Sequence, residues 1–229
     1  MSKSTLPYTA LSLALLAPIS ANAAIIHLSG DTVDFFYDDA SPEMIAYGSL
    51  YVLGDTIFAT PSGFKAESTN GAGTDIFSAS GTIQVTAKSG YSFQGINIVE
   101  GGTYTTTGNG SVDVQSALRV MEWGNLFKMD TQNLTISDLS ATGTNPWQGT
   151  VNYDMTTAMW NDVNHVGLTL TNRLYATSPD LLSTASIDKT LAGASIGVEI
   201  STTVIPVPAA IWLFGSGFIA LFGFARKRK

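Results

Sequence analysis

The chain has 229 residues, no cysteine, and only 13% charged residues, where a soluble domain usually carries about a quarter. The lack of cysteine excludes a disulfide scaffold, a thiolate zinc site and a cysteine nucleophile. All 18 acidic residues lie between residues 24 and 205, with only six of the 11 basic ones. A body this acidic would repel phosphates, so we expect no nucleic-acid partner.

The first 23 residues have the features of a secretory signal peptide. Lys3 supplies a positive start, and the apolar core that follows is shorter than the ~20 residues needed to span a bilayer. Ala21 and Ala23 then give the small-x-small pattern that signal peptidase accepts. We therefore predict export, with cleavage after Ala23 and Ala24 as the mature N-terminus.

Residues 24–203 have the pattern of an all-β body. Short runs of β-branched and aromatic residues alternate with polar ones and are separated by Gly, Asn, Asp and Ser. About ten strands at this spacing predict a single β-sandwich or jelly-roll-like domain rather than βαβ units. Only Pro179–Ala192 has weak helical character. The predicted strands are Val33–Tyr37, Ser49–Leu53, Thr82–Ala87, Tyr91–Ile98, Thr103–Thr107, Val112–Met121, Leu134–Ile136, Thr150–Met155, Val166–Thr171 and Ile196–Thr202.

The clearest pair of strands flanks a turn at residues 88–90. Before the turn, Ile83 and Val85 fall on one face with Ala87, and polar residues fall on the other. After the turn, Tyr91–Ile98 is expected to return. Gly95 interrupts its alternation, which predicts a β-bulge there.

Catalytic groups are scarce in the body. The chain has two histidines, His27 and His165, and neither lies in a nucleophile-elbow context. They are too far apart in sequence to suggest a zinc site, and His165 is expected to cap a turn before a strand at Val166. We predict that the protein is not an enzyme and uses no cofactor.

Calcium is the better metal candidate. Asp31, Asp34, Asp38 and Asp39 place four carboxylates within nine residues. A strand between them would separate Asp31 from Asp39 by about 25 Å, which is too far for one ion. Turn formation and solubility are therefore the simpler explanation, and calcium binding remains the alternative.

Carbohydrate contact is a second possibility for the body. Trp123, Trp147 and Trp160 could offer flat platforms for sugar rings, although large aromatic residues are more often part of a core. Trp147 follows a proline and is expected at a loop edge, which makes it the best of the three. The hydroxyl-rich segments 105–107 and 142–144 are open to two interpretations, exposed strand faces or O-glycosylation sites.

The C-terminal segment, residues 204–229, has three consecutive parts. The first is a proline-bracketed motif. The second is an apolar stretch of 17 residues, about 26 Å as a helix, which is adequate for a bilayer core of ~30 Å. The third is a basic end that stays on the cytoplasmic side and so keeps the body outside the inner membrane. The motif is Ile205, Pro206, Val207, Pro208, Ala209 and Ala210, and the basic end is Arg226, Lys227, Arg228 and Lys229.

This segment resembles the PEP-CTERM sorting signals of Gram-negative bacteria, in their Val-Pro-x-Pro-Ala variant. It departs from the commoner form at Val207, where that form has glutamate, and at Ile205, where it has valine. The resemblance implies recognition by an exosortase, a membrane transpeptidase that cuts near the motif and passes the body to the cell surface. Such proteins are associated with exopolysaccharide. An ordinary single-pass anchor with a proline-rich spacer is the alternative.

Together these features predict an exported protein of the cell surface or extracellular matrix, first held in the inner membrane with its body on the periplasmic side. The expected partners are signal peptidase, an exosortase-type enzyme, the inner membrane and exopolysaccharide. The alternative is a carbohydrate-binding module for the exopolysaccharide, with an envelope hydrolase as the third hypothesis.

Overall fold

The computed structural model describes residues 25–189 and 195–206. The predicted signal peptide and its cleavage site at Ala23 and Ala24 lie outside the described residues. So do the apolar stretch, the basic end and most of the sorting motif, of which Ile205 and Pro206 are described.

The described part of the chain is built almost entirely of strands, with one short helix, α1 (Pro42–Ile45), and a 3-10 turn at Ala158–Trp160. The strands are β1 (Ile25–Ser29), β2 (Val33–Asp38), β3 (Ser49–Leu53), β4 (Thr56–Thr60), β5 (Lys65–Thr69), β6 (Gly73–Ala87), β7 (Tyr91–Thr107), β8 (Ser111–Glu122), β9 (Met129–Asn133), β10 (Thr135–Ile136), β11 (Gly143–Asp154), β12 (His165–Ser178), β13 (Thr184–Asp188) and β14 (Ile196–Val204).

These strands form two antiparallel sheets, an arrangement consistent with a β-sandwich, so the all-β prediction is confirmed. The six-stranded sheet has the order β1-β2-β6-β12-β8-β9. The eight-stranded sheet has the order β10-β11-β7-β14-β4-β3, and β13 joins it between β7 and β5. None of the helices in the described ranges is long and apolar enough to cross a bilayer.

The core lies where strand alternation turns apolar side chains inward from both sheets. On β12 the inward positions include Leu168, Leu170 and Leu174, and on β7 they include Ile96 and Ile98. Each fully buried side chain of this size contributes roughly 1.5–3 kcal/mol. All five belong to one hydrophobic cluster, which holds the two sheets together.

The predicted bulge is confirmed one residue before Gly95. Gly95 pairs with Ser201 of β14 and Phe93 pairs with Thr202, so Gln94 is the extra residue. The bulge keeps Phe93 and Ile96 on the inward face although three positions separate them.

The expected return of the chain after residues 88–90 is wrong in one respect, because β7 does not pair with β6. Both edges of β6 are occupied near this turn, by β2 on one side and β12 on the other. The chain therefore leaves the six-stranded sheet at Ala87 and enters the eight-stranded sheet at Tyr91.

The weak helical expectation for Pro179–Ala192 is also wrong over its described part. Residues 184–188 form β13, in which Ala185 and Ile187 face inward and serines separate them. The strand is held on both edges, by β5 and by β7. Pairing on two sides outweighs the weak local preference.

Candidate functional site

Four polar side chains occupy positions that strand alternation would normally fill with apolar residues. Glu100 follows Ile96 and Ile98 on the inward face of β7, and Asn172 lies between Leu170 and Leu174 on β12. Ser116 takes the same kind of position on β8, and Lys189 continues the inward phase of β13 by one step. All four are buried, together with the nearby Tyr47. We call these five residues the buried polar cluster.

Lys189 and Glu100 form the charged centre of the cluster. The lysine Nζ lies 2.6 Å from Oε2 of Glu100, and both side chains have 0% exposure. Nζ also donates a hydrogen bond to Oδ1 of Asn172. The ion pair therefore joins the eight-stranded sheet to the six-stranded sheet through the core.

The side-chain amide of Asn172 is held at both ends. Its Oδ1 accepts a hydrogen bond from the Ser116 hydroxyl at 2.7 Å, in addition to that from Lys189. Its Nδ2 donates to the hydroxyl of Tyr47 at 3.2 Å, and that hydroxyl donates to the backbone oxygen of Leu170 at 2.6 Å. The carbonyl carbon of the amide is thus fixed in orientation beside the lysine.

Two aromatic rings enclose the ammonium group. Nζ of Lys189 lies 5.1 Å from the ring centre of Phe64 and 5.4 Å from that of Trp147. Trp147 was expected at a loop edge, but it is only 3% exposed, and its indole N–H donates to the backbone oxygen of Asp188 at 2.9 Å. The preceding proline does not end β11, whose Pro146 pairs with Thr103 of β7.

Burial controls the electrostatics of the cluster. Desolvation lowers the pKa of Lys189, and the charge and hydrogen bond of Glu100 oppose that change. Desolvation also raises the pKa of Tyr47 well above its usual value. Oε1 of Glu100 is buried and has no hydrogen-bond partner among the described residues. Buried ion pairs give little net stability, and perturbed groups with an unsatisfied atom are candidates for chemistry.

Gly102 permits the close approach that puts Lys189 in the core. A Cβ at this glycine would lie 1.8 Å from the backbone oxygen of Asp188 and 2.9 Å from Cα of Lys189. Backbone atoms cannot move aside as the end of a side chain can. The absence of a side chain at residue 102 is therefore part of how the site is built.

The candidate calcium ligands are not brought together. Within residues 25–189 and 195–206, no group of three or more His, Asp or Glu side chains could hold a metal ion. Asp34 instead accepts hydrogen bonds from Ser29 at 2.7 Å and His27 at 3.1 Å. Slight burial raises the pKa of Asp34, but these hydrogen bonds and the charge of Lys88 lower it overall.

His165 does not cap a turn before the strand, because it is itself the first residue of β12 and pairs with Thr86. Its ring stacks against Trp123 with centroids 5.7 Å apart. Nε2 is buried without a hydrogen-bond partner in the described part of the chain, and desolvation lowers the pKa of the ring. Burial therefore favours the neutral imidazole.

The remaining aromatic and hydroxyl candidates divide between core and surface. Trp160 is buried and donates to the Tyr153 hydroxyl at 3.1 Å, whereas Trp123 is 41% exposed. Thr105 and Thr144 lie on neighbouring strands and hydrogen-bond to each other at 2.9 Å. These two hydroxyls have a structural use in the sheet.

Comparison with known proteins gives no match to a protein-family model and no significant match to a curated protein sequence. The function must therefore be argued from the site and from the sequence features at the two ends.

Proposed function

We propose that this chain is an exported protein of the cell surface or extracellular matrix, with a jelly-roll-like sandwich as its structural body. In this proposal an exosortase-type enzyme recognises the motif that begins at Ile205, removes the tail and releases the body to the surface, in association with exopolysaccharide. The body acts as a structural unit and not as an enzyme.

The observation that carries the proposal is the junction between the body and the motif. The last pair of β14 with β7 is Val204 with Tyr91, and the Ile205 N–H then donates to the Gly90 oxygen at 2.8 Å. Pro206 has no N–H, so sheet pairing cannot continue through it. A folded body that ends here leaves an extended, unpaired backbone for a processing enzyme to bind.

The position of the buried polar cluster also supports a structural role. Lys189 and Glu100 have no solvent exposure, so a soluble substrate has no access to them without opening the core. Whatever these groups do, they do it to the body itself.

The test is processing of the full chain in a Gram-negative host that carries exosortases. We expect the wild type to lose its tail and move outward, and the double variant Pro206→Ala, Pro208→Ala to accumulate at full length in the inner membrane. Alanine keeps the apolar stretch and the basic end, but it lets helix extend back into the motif. Pro146→Ala, at an exposed proline of β11, is the matched control.

Release of the double variant at the wild-type rate would overturn the sorting proposal and leave an ordinary anchor. Deleting Arg226–Lys229 should act differently, by weakening topology and retention before processing. N-terminal sequencing of the same material tests export, for which we expect a start at or within two residues of Ala24.

A second candidate function is carbohydrate binding, favoured by an exposed aromatic turn between β8 and β9. Trp123 is 41% exposed there and Phe127 is 99% exposed. Loss of exopolysaccharide binding in Trp123→Ala, with binding retained in Leu182→Ala at another exposed apolar position, would support it. Equal binding by both variants would exclude this turn as the binding surface.

A further inference from the structure

The buried polar cluster brings a lysine amine, an asparagine carboxamide and a carboxylate into direct contact in an apolar core. We propose that Lys189 and Asn172 condense without any other protein, joining Nζ to Cγ in an amide bond and releasing ammonia. The product is a covalent cross-link between β12 of one sheet and the chain segment that follows β13 of the other. This inference does not depend on export or sorting.

The reacting atoms are already in contact. Nζ of Lys189 hydrogen-bonds to Oδ1 of Asn172, and a carbonyl C–O bond is about 1.2 Å long, so Nζ can be no more than that much further from Cγ. Holding a nucleophile and an electrophile at such a distance removes most of the entropic barrier to reaction. The hydrogen bonds to Ser116 and Tyr47 fix the amide in this orientation.

The amine must lose a proton before it can attack. Oε2 of Glu100 lies 2.6 Å from Nζ and accepts that proton, which leaves a neutral amine and a neutral carboxylic acid. In a core that disfavours both charges, the neutral pair is the form that burial favours. Burial lowers the pKa of Lys189 in the same direction.

The carboxamide is activated by the groups around it. The Ser116 hydroxyl donates to Oδ1 at 2.7 Å, where negative charge develops when Nζ attacks Cγ. The Tyr47 hydroxyl lies 3.2 Å from Nδ2, the nitrogen that departs. Glu100 touches the nucleophile, so it is the catalytic residue, and Ser116 and Tyr47 bind the reacting amide.

The step balances without an oxidant, a reductant or a cofactor. The Nζ–Cγ bond forms, the Cγ–Nδ2 bond breaks, and the remaining proton needed by Nδ2 passes from Nζ through Glu100. Starting from the ammonium and the carboxylate, the products are a secondary amide, protonated Glu100 and ammonia. The chain becomes lighter by one ammonia molecule.

A bond at this position closes a loop from residue 172 to residue 189 and ties the two sheets together. A chain without cysteine has no disulfide with which to make such a link. A cross-link limits the freedom of the unfolded chain, and an amide does so in a form that reducing agents do not cleave.

The experiment is intact-mass spectrometry of the full chain purified in folded form, followed by tryptic mapping. We expect a mass lower by one ammonia than that of the unmodified chain, and a missed cleavage after Lys189. We also expect one branched peptide that joins the fragment ending at Arg173 to the fragment containing Lys189. Succinimide formation at Asn70 or Asn109, each followed by glycine, would also release ammonia but would give no branched peptide.

The variants test the assigned roles. Glu100→Gln and Lys189→Met should show the unmodified mass and no branched peptide, whereas Lys65→Met, at an exposed lysine, should still cross-link completely. Asn172→Asp should lose water instead of ammonia. Wild-type protein that is folded, carries the unmodified mass and gives the linear peptide ending at Lys189 would overturn the proposal, whether or not any variant folds.

Discussion

The two faces of β12 carry polar side chains under opposite conditions. On the outer face, Thr177 and Thr171 each hydrogen-bond to one hydroxyl of β6, Thr74 at 2.9 Å and Ser80 at 3.1 Å. On the inner face, the single residue Asn172 contacts three other side chains, and none of the four is exposed.

The difference teaches what a polar group requires at each place. An outer hydroxyl that loses its partner can bond to water, so each outer pair is nearly independent of the rest. An inner group that loses its partner keeps the full cost of desolvation, so the members of the buried polar cluster depend on one another. The predictions below break one contact at a time, beginning with the charged centre.

Lys189→Ala should produce the largest loss of stability. It leaves the Glu100 carboxylate buried without its partner, which typically costs about 3–5 kcal/mol. The control is Lys65→Ala, which removes the same kind of ion pair at the surface, where Lys65 contacts Glu67. That loss should stay below about 1 kcal/mol.

Urea unfolding of both variants, followed by circular dichroism, measures these losses. Lys189→Met combined with Glu100→Leu should recover much of the stability, because no buried charge remains. Equal losses for the buried and exposed lysines would contradict the contrast between the two environments.

Gly102→Ala should cost about 1–3 kcal/mol, because one added methyl group would overlap the backbone at Asp188. The displaced segment carries Lys189, so cross-linking should fall in the same variant. Gly197→Ala, whose new Cβ would meet the Phe58 ring at 3.3 Å, is the control and should cost less. A Gly102→Ala melting temperature equal to that of the wild type would show that the close approach is not needed.

Tyr47→Phe should cost about 1–3 kcal/mol, because both the Leu170 oxygen and the Asn172 amide lose a buried partner. Tyr51→Phe, at an exposed tyrosine, should change the free energy of unfolding by less than about 0.5 kcal/mol. Chemical denaturation curves for the two variants give the comparison directly, and similar midpoints would argue against it.

Most strands could be predicted from the sequence because alternation is a local signal. The segments Val33–Tyr37 and Ser49–Leu53 correspond almost residue for residue to β2 and β3. Strand β9 was missed because Met129–Asn133 is exposed along its whole length and has no apolar face. The pairing of strands is not local, which is why β6 and β7 were expected in one sheet but lie in two.

The site could have been half predicted. In the sequence, Glu100 and Asn172 each follow apolar residues at intervals of two, and Lys189 does the same after Ala185 and Ile187. That signal marks polar side chains aimed into the core. Their meeting could not be predicted, because it depends on how the two sheets face each other.

On the outer face, Thr74→Val should change the free energy of unfolding by less than about 0.5 kcal/mol. The variant loses one exposed hydroxyl pair with Thr177, and water replaces the missing contact. Valine also suits a strand. A loss as large as that of Tyr47→Phe, measured in the same urea titration, would show that the outer pairs are not independent.

The smallest effect is expected from protonation of His165. Because burial lowers the pKa of its ring below the ordinary 6.5, the unfolded chain binds more protons than the folded one between those two values. The stability contribution is present above about pH 6.5 and is lost as the pH falls toward the folded-state pKa. The melting temperature should therefore decline slightly from pH 7 to pH 5.

His165→Gln should remove this decline, and His27→Gln should retain it, because the ring of His27 is exposed beside Asp34. The carboxylates with lowered pKa values, Asp34 and Asp154, act below pH 3.8 and do not contribute to this window. Differential scanning calorimetry at half-unit steps of pH separates the two ranges. A decline that persists unchanged in His165→Gln would assign it to another group, and the buried Nε2 of His165 would then tolerate a proton without loss of packing.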